Sequence, residues 1–355
     1  MSQRIDRLRQ AMPTDVDALL IIKPDNRTYI SGFTGSNAYL LVGREVALLL
    51  TDFRYIEQAS AECPYFVVRD YAPVFLDSLK QALADANIST LAFESDFVTF
   101  STYHELKEKL GVALVPTTGL VEKLRQVKDA GEVENMQQAA LIAEAALAEV
   151  LPMVKPGVSE KSVALSLEFA LRRRGAEKLP FEIIAASGPR SSLPHGRASE
   201  RLIERGDFLT LDFGAVYNGY CCDMTRTFIV GAKATPEQER VYNTVLAAQE
   251  QALAALRPGL IGRDFDKVAR DVITAQGYGE RFGHGLGHGV GRAVHEGPGA
   301  GSKSEDLFSP GMVITVEPGI YLPGWGGVRI EDMVLVTETG YRNFNTFPKE
   351  LTTLG

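Results

Sequence analysis

The stretch LDFGAVYNGYCCDMTRTF, residues 211–228, places two acids, Asp212 and Asp223, at short apolar, β-branched runs. Side chains alternate across a strand, so residues two apart share a face. Thr210 and Asp212 therefore oppose Leu209, Leu211 and Phe213, which sets an acid against a core-packing face. One acid ends the first strand, a Gly/Tyr-rich loop follows, and the second acid lies in the returning strand, as in a hairpin.

The arrangement recurs in ITVEPGIY at 314–321 and GGVRIEDMV at 326–334. Thr315 and Glu317 oppose Ile314 and Val316, while Arg329 and Glu331 oppose Val328 and Ile330. The echo points to an internal duplication, with no repeat of the solenoid type. A single acid of this kind is ordinarily a solvated edge residue. Four of them brought together repel one another unless cations compensate, and two divalent ions would neutralise four carboxylates.

Four of the five histidines fall in two motifs, LPHG at 193–196 and GHGLGHG at 283–289 running on to VHEGP at 294–298. Glycine lets backbone and ligands approach closely at a cost in conformational entropy, which marks His195, His284, His288 and His295 as site candidates. His104, in a charged helical stretch, reads as surface. His284 and His288 are four apart, but Gly285, Leu286 and Gly287 between them lack the glutamate of a zinc-binding helix and make a poor helix. No glycine-rich run ends in Gly-Lys-Ser/Thr and no G-x-S-x-G occurs, which argues against P-loop and serine-hydrolase chemistry.

With 355 residues, 45% of them hydrophobic, two packed domains are expected. A net charge of −8 and a pI near 5.3 argue against a nucleic-acid partner. The opening MSQRIDRLRQAMPTD has no apolar stretch of signal-peptide or membrane-spanning length, so a cytoplasmic location without a membrane partner is expected. Cys63, Cys221 and Cys222 form no C-x-x-C spacing and no disulfide framework, and read as reduced thiols.

Up to about residue 120 the pattern alternates between helical and apolar strand-like segments, with a hairpin turn at Val42-Gly43-Arg44. This reads as an α/β domain. The polar segment 116–135 leads into a long Ala/Leu/Glu-rich helix, which places a junction near residue 122 and gives domains 1–122 and 123–355. The second reads as α+β with hairpins: strand-like runs occupy 208–213, 224–230, 312–316 and 328–336. Thr235-Pro236-Glu237-Gln238 combines an N-cap threonine, a first-turn proline and a capping-box glutamine.

These motifs, in this order, resemble the pita-bread metallopeptidases, a family that includes methionine aminopeptidase, prolidase, aminopeptidase P and creatinase. The resemblance covers the whole second domain, and the first domain resembles the creatinase-type N-terminal domain. It implies an α/β creatinase-like domain followed by an α+β pita-bread catalytic domain. Asp212, Asp223, His288, Glu317 and Glu331 match the five metal ligands. By the resemblance Asp212 chelates one metal, His288 and Glu317 bind the other, and Asp223 and Glu331 bridge them. The oxygen-rich set suits Mn²⁺ or Co²⁺ and is compatible with Zn²⁺ or Fe²⁺. The resemblance further implies that the metals activate water, that Glu317 shuttles a proton, and that His195, His284 and His295 contact substrate or its tetrahedral intermediate.

Methionine aminopeptidases usually lack such an N-terminal domain and do not carry Arg329 in a Val-Arg-Ile-Glu pattern, so the resemblance favours the Xaa-Pro branch, with Arg329 in its machinery. The expected substrates are peptides with proline second. Proline nitrogen lacks an N–H, so a general peptidase that grips that hydrogen loses a contact. Some prolidases place an arginine after H-E-x-P to hold a dipeptide carboxylate, whereas here Gly299 and Ala300 follow Pro298. The expectation is therefore an Xaa-Pro aminopeptidase, with Xaa-Pro dipeptidase as the alternative, then methionine aminopeptidase or a non-catalytic binding module. A homodimer is implied by resemblance alone.

Overall fold

In the computed structural model, which describes residues 2–355, the N-terminal alternation becomes a six-stranded mixed sheet. Its strands run in the order Val67–Asp70, Ala47–Thr51, Ala38–Gly43, Ala18–Ile21, Thr90–Glu94 and Ala113–Thr117. Ala18–Ile21 is buried on both faces, which explains its uninterrupted apolar reading. Leu19 and Ile21 join one hydrophobic cluster, while Ala18 and Leu20 join another. The expected hairpin is present, with Val42 opposite Ala47. By internal contacts the chain divides after Arg125, and a second unit covers Gln126–Gly355. Among the described residues no helix is long and apolar enough to cross a membrane.

The second unit opens with the helix Ala130–Val150, whose N-terminus is closed by a capping box between Asp129 and Glu132. The Thr235/Gln238 box closes the helix Pro236–Ala255 in the same way. Thr235→Ala strips an acceptor from a helix N–H and should cost about 1 kcal/mol, read as a lower urea midpoint at unchanged slope.

Two antiparallel hairpins form the centre of this unit. Phe208–Phe213 pairs with Met224–Val230, and Val313–Val316 pairs with Asp332–Val336. Each carries a smaller hairpin in its connection: Val216–Tyr217 with Tyr220–Cys221 in one, Gly319–Leu322 with Gly326–Arg329 in the other. The first small hairpin turns at Asn218 and Gly219, with φ of 48° and 74°, the two successive positive values a type I′ turn requires.

The run 328–336, read as one strand, is two strands with different partners. Gly326–Arg329 pairs with Gly319–Leu322, and Asp332–Val336 pairs with Val313–Val316. At the break the Glu331 N–H donates to the Thr225 carbonyl at 3.1 Å, so the backbone there crosses to the other main hairpin. A buried arginine fixes the crossing: Arg226 donates through Nη1 to the Glu331 carbonyl at 2.6 Å and through Nη2 to Asp332 Oδ1 at 2.8 Å. Alternation along 328–331 followed by a mostly apolar stretch carries no mark of a change of partner.

Candidate metal centre

The two hairpins supply the acids. Asp212 sits in the ladder opposite Thr225, and Asp223 immediately precedes the returning strand. Glu317 follows the end of Val313–Val316, and Glu331 occupies the break before Asp332. His288 lies in the short strand Gly287–Gly289, between Glu296–Ala300 and Val313–Val316. That strand tolerates no side chain at its flanks: a Cβ on Gly287 would run into the Thr315 carbonyl, and one on Gly289 into the Gly297 carbonyl. The glycines of GHGLGHG thus let three strands close around one imidazole.

All nine residues expected from sequence line one cavity of about 810 Å³. Ligand atoms of Asp223, His288 and Glu331 lie within 4.8 Å of one another. Glu317 Oε1 is 3.4 Å and Asp223 Oδ2 is 3.7 Å from His288 Nε2. His288 Nδ1 is 3.1 Å from the Gly289 carbonyl, which can only accept, so Nδ1 carries the hydrogen and Nε2 presents its lone pair to the acids. Burial pushes the His288 imidazole down to about 4, which keeps it neutral at pH 7.

The acids are under electrostatic pressure. Burial raises Asp223 well above the usual carboxylate range, and repulsion from Glu331, Asp212 and Glu317 adds to it. Burial and then Glu317 and Asp212 do the same to Glu331, and Glu317 is pushed up to about 7, chiefly by burial. Asp212 is also raised by burial, though Arg329 opposes the shift. Asp212 Oδ1, Asp223 Oδ1 and Glu331 Oε1 are buried without a hydrogen-bond partner among the described residues. Buried carboxylate oxygens left unpaired are costly unless a cation takes them. One buried arginine against four acids leaves a charge deficit, and divalent cations fit it.

Arg329 spends its whole fork inside the site. Nη2 donates to Asp212 Oδ2 at 2.6 Å, Nη1 to the Tyr321 hydroxyl at 2.9 Å and the Pro194 carbonyl at 3.2 Å, and Nε to Thr225 Oγ1 at 3.1 Å. Burial works against its charge, but Tyr321, Asp212, Glu317 and Glu331 more than offset this and hold it protonated. His284 has both ring nitrogens engaged. Nδ1 donates to the Gly285 carbonyl at 2.8 Å, so Nε2 accepts from the Tyr321 hydroxyl at 2.8 Å. Its ring therefore backs Tyr321, and neither nitrogen faces the cavity free. His195 and His295 are exposed on the cavity wall, and the His295 ring lies 4.2 Å from that of His288.

Tyr321 and Thr225 were not singled out from sequence. The alternation that puts Glu317 on one face also puts Tyr321 there, two pairs of residues on, and Thr225 follows Asp223 by two. That signal places them on the right faces but does not show what they touch.

Comparison with known proteins identifies the family of both parts of the chain. The model of metallopeptidase family M24 matches residues 134–338, and the Creatinase/Prolidase N-terminal domain matches residues 4–127. An Xaa-Pro dipeptidase of Pyrococcus furiosus is 38% identical over 99% of this chain and 100% of its own. A solved Xaa-Pro dipeptidase from Bacillus anthracis is 45% identical with a TM-score of 0.98, covering 99% of each chain. A solved X-Pro aminopeptidase from Thermotoga maritima is 40% identical with a TM-score of 0.93, covering 99% of this chain and 100% of that one. With that family model spanning more than half of its length, the chain belongs to metallopeptidase family M24.

Proposed function

We propose that the protein is a metal-dependent Xaa-Pro peptidase whose principal substrates are Xaa-Pro dipeptides. The observation that carries the metal-dependent chemistry is the set of buried, unpartnered carboxylate oxygens beside the His288 lone pair. Asp212, Asp223, His288, Glu317 and Glu331 would hold two divalent cations, and four carboxylates with one imidazole favour Mn²⁺ or Co²⁺. When bound, the cations supply an activated water and polarise the scissile carbonyl. Glu317 accepts at Oε1 from Thr315 Oγ1 at 3.1 Å, which leaves Oε2 to take the proton of water and pass it to the departing proline nitrogen. His195 and His295, open on the wall, donate to the peptide, while Arg329 and His284 hold the Tyr321 hydroxyl in place. We further infer a cytoplasmic homodimer, a reading supported by the sparse cysteines and by the resemblance.

The preference for dipeptides rests on charge. Three arginines line the cavity; Arg329 is paired with Asp212 at 2.6 Å and Arg197 with Glu182 at 3.0 Å. Arg281 lines the same cavity without an acid partner among the described residues, and so offers a cation to a dipeptide carboxylate. Arg281→Ala should lower kcat/KM for an Xaa-Pro dipeptide about tenfold to a hundredfold, mainly through KM, and leave the dipeptide amide nearly untouched. Equal losses on both substrates would remove Arg281 from carboxylate binding. The second reading, cleavage of longer peptides, is favoured by Gly299, which brings no cation after Pro298, and by the similarity to the Thermotoga enzyme. Wild-type kcat/KM on a dipeptide against an Xaa-Pro-Xaa tripeptide decides between them.

A further inference from the structure

Thr225 is fully buried and does not line the cavity, yet it touches both halves of the site. Its backbone faces Asp212 in one ladder and bridges to Glu331 across the break in the other hairpin. Its side chain repeats the link: Oγ1 donates to Glu331 Oε2 at 2.6 Å and accepts from Arg329 Nε at 3.1 Å. A hydroxyl has one hydrogen. Because Arg329 can only donate, that hydrogen is committed to Glu331.

We infer that Thr225 is a positioning residue that fixes the orientation in which the Glu331 carboxylate is presented to the metals. With Oε2 held by the hydroxyl, Oε1 is buried without a hydrogen-bond partner, in a side chain that clusters with Asp223 and His288. By accepting from Arg329, the same hydroxyl keeps the guanidinium fork turned toward Asp212 Oδ2. One side chain thereby couples an acid of each hairpin. Partners of this kind, one step behind the ligands, fix ligand orientation and tune affinity. The Ser/Thr requirement is chemical: valine matches the shape but neither donates nor accepts, so Glu331 Oε2 and Arg329 Nε would both be left buried and unpaired.

The inference rests on the metal reading given above, and the test separates the two. Mn²⁺ is titrated calorimetrically into the full-length, chelator-treated wild type and into Thr225→Val, Thr225→Ala and Thr225→Ser, with the melting temperature of each metal-free protein recorded alongside. The expected result is Mn²⁺ affinity about 10- to 100-fold weaker in the valine and alanine variants and within about threefold of wild type in the serine variant. With metal saturating, the valine variant should lose kcat more than it gains in KM. Alanine provides the reading should the valine variant fail to fold. Wild-type affinity in a folded valine or alanine variant overturns the role of the hydroxyl. So does a serine variant as weak as valine, since packing rather than hydrogen bonding would then be responsible. If wild type takes up no Mn²⁺, it is the metal reading that fails.

Discussion

Asp223→Asn is expected to lower kcat/KM at least about a thousandfold, and chelation of wild type to do the same until Mn²⁺ or Co²⁺ is restored. Several kcal/mol of transition-state charge stabilisation come from a metal centre, and each 1.36 kcal/mol is a factor of ten in rate. The same substitution should raise the stability of the metal-free protein. Asp223 is 4% exposed and repelled by Glu331, Asp212 and Glu317, so removing its charge relieves the fold. A lower activity with a higher metal-free melting temperature is a combination that simple loss of packing does not give. Full activity after exhaustive chelation would sink the mechanism.

The pH dependence of the metal-free protein follows from the same groups. Glu317 is moved from its ordinary 4.5 to about 7, so between those values the native chain binds more protons than the unfolded one. Stability is then present at the acid end of that window and lost as pH rises through about 7. With metal bound, the acids are neutralised by cations and this loss should vanish. Urea midpoints at pH 5.5 and 7.5, with and without Mn²⁺, read the difference directly.

Arg329→Met is expected to destabilise the protein by about 3–5 kcal/mol, because it leaves the Asp212 carboxylate without its buried countercharge. It also releases the Tyr321 hydroxyl, the Pro194 carbonyl and Thr225 Oγ1, each now held by one arm of the guanidinium. The kcat should fall by about a hundredfold or more, the scale on which loss of one preorganised donor is felt. Lysine is not a conservative replacement, since one ammonium cannot reach four acceptors in a fixed plane. Metal occupancy should survive, because deleting a positive charge does not weaken the attraction of four carboxylates for cations. Metal lost in proportion to activity would assign Arg329 to holding the ligands rather than to the reaction.

Much of this was legible along the chain because it is local. The hairpin around LDFGAVYNGYCCDMTRTF, its echo at Glu317 and Glu331, and the glycines around His288 are written in alternation and turn chemistry. Capping at Thr235 is likewise a matter of neighbouring residues. Nine residues drawn from these motifs line a single cavity, since each sits where a strand ends or a glycine permits close approach.

What tertiary structure alone decided is which groups end up paired. Glu331 lies where one strand stops and another begins, a change of partner set by Thr225 and Arg226 from 105 or more residues away. The tertiary structure likewise brings Tyr321 to His284 Nε2, gives Thr225 its single committed hydrogen and leaves Arg281 on the cavity wall without an acid partner among the described residues. A sequence shows which residues can donate, accept or carry charge. Whether a buried group has met its partner or waits for a ligand depends on distances between segments, and it is those distances that separate the oxygens spent on the fold from the oxygens left for metal.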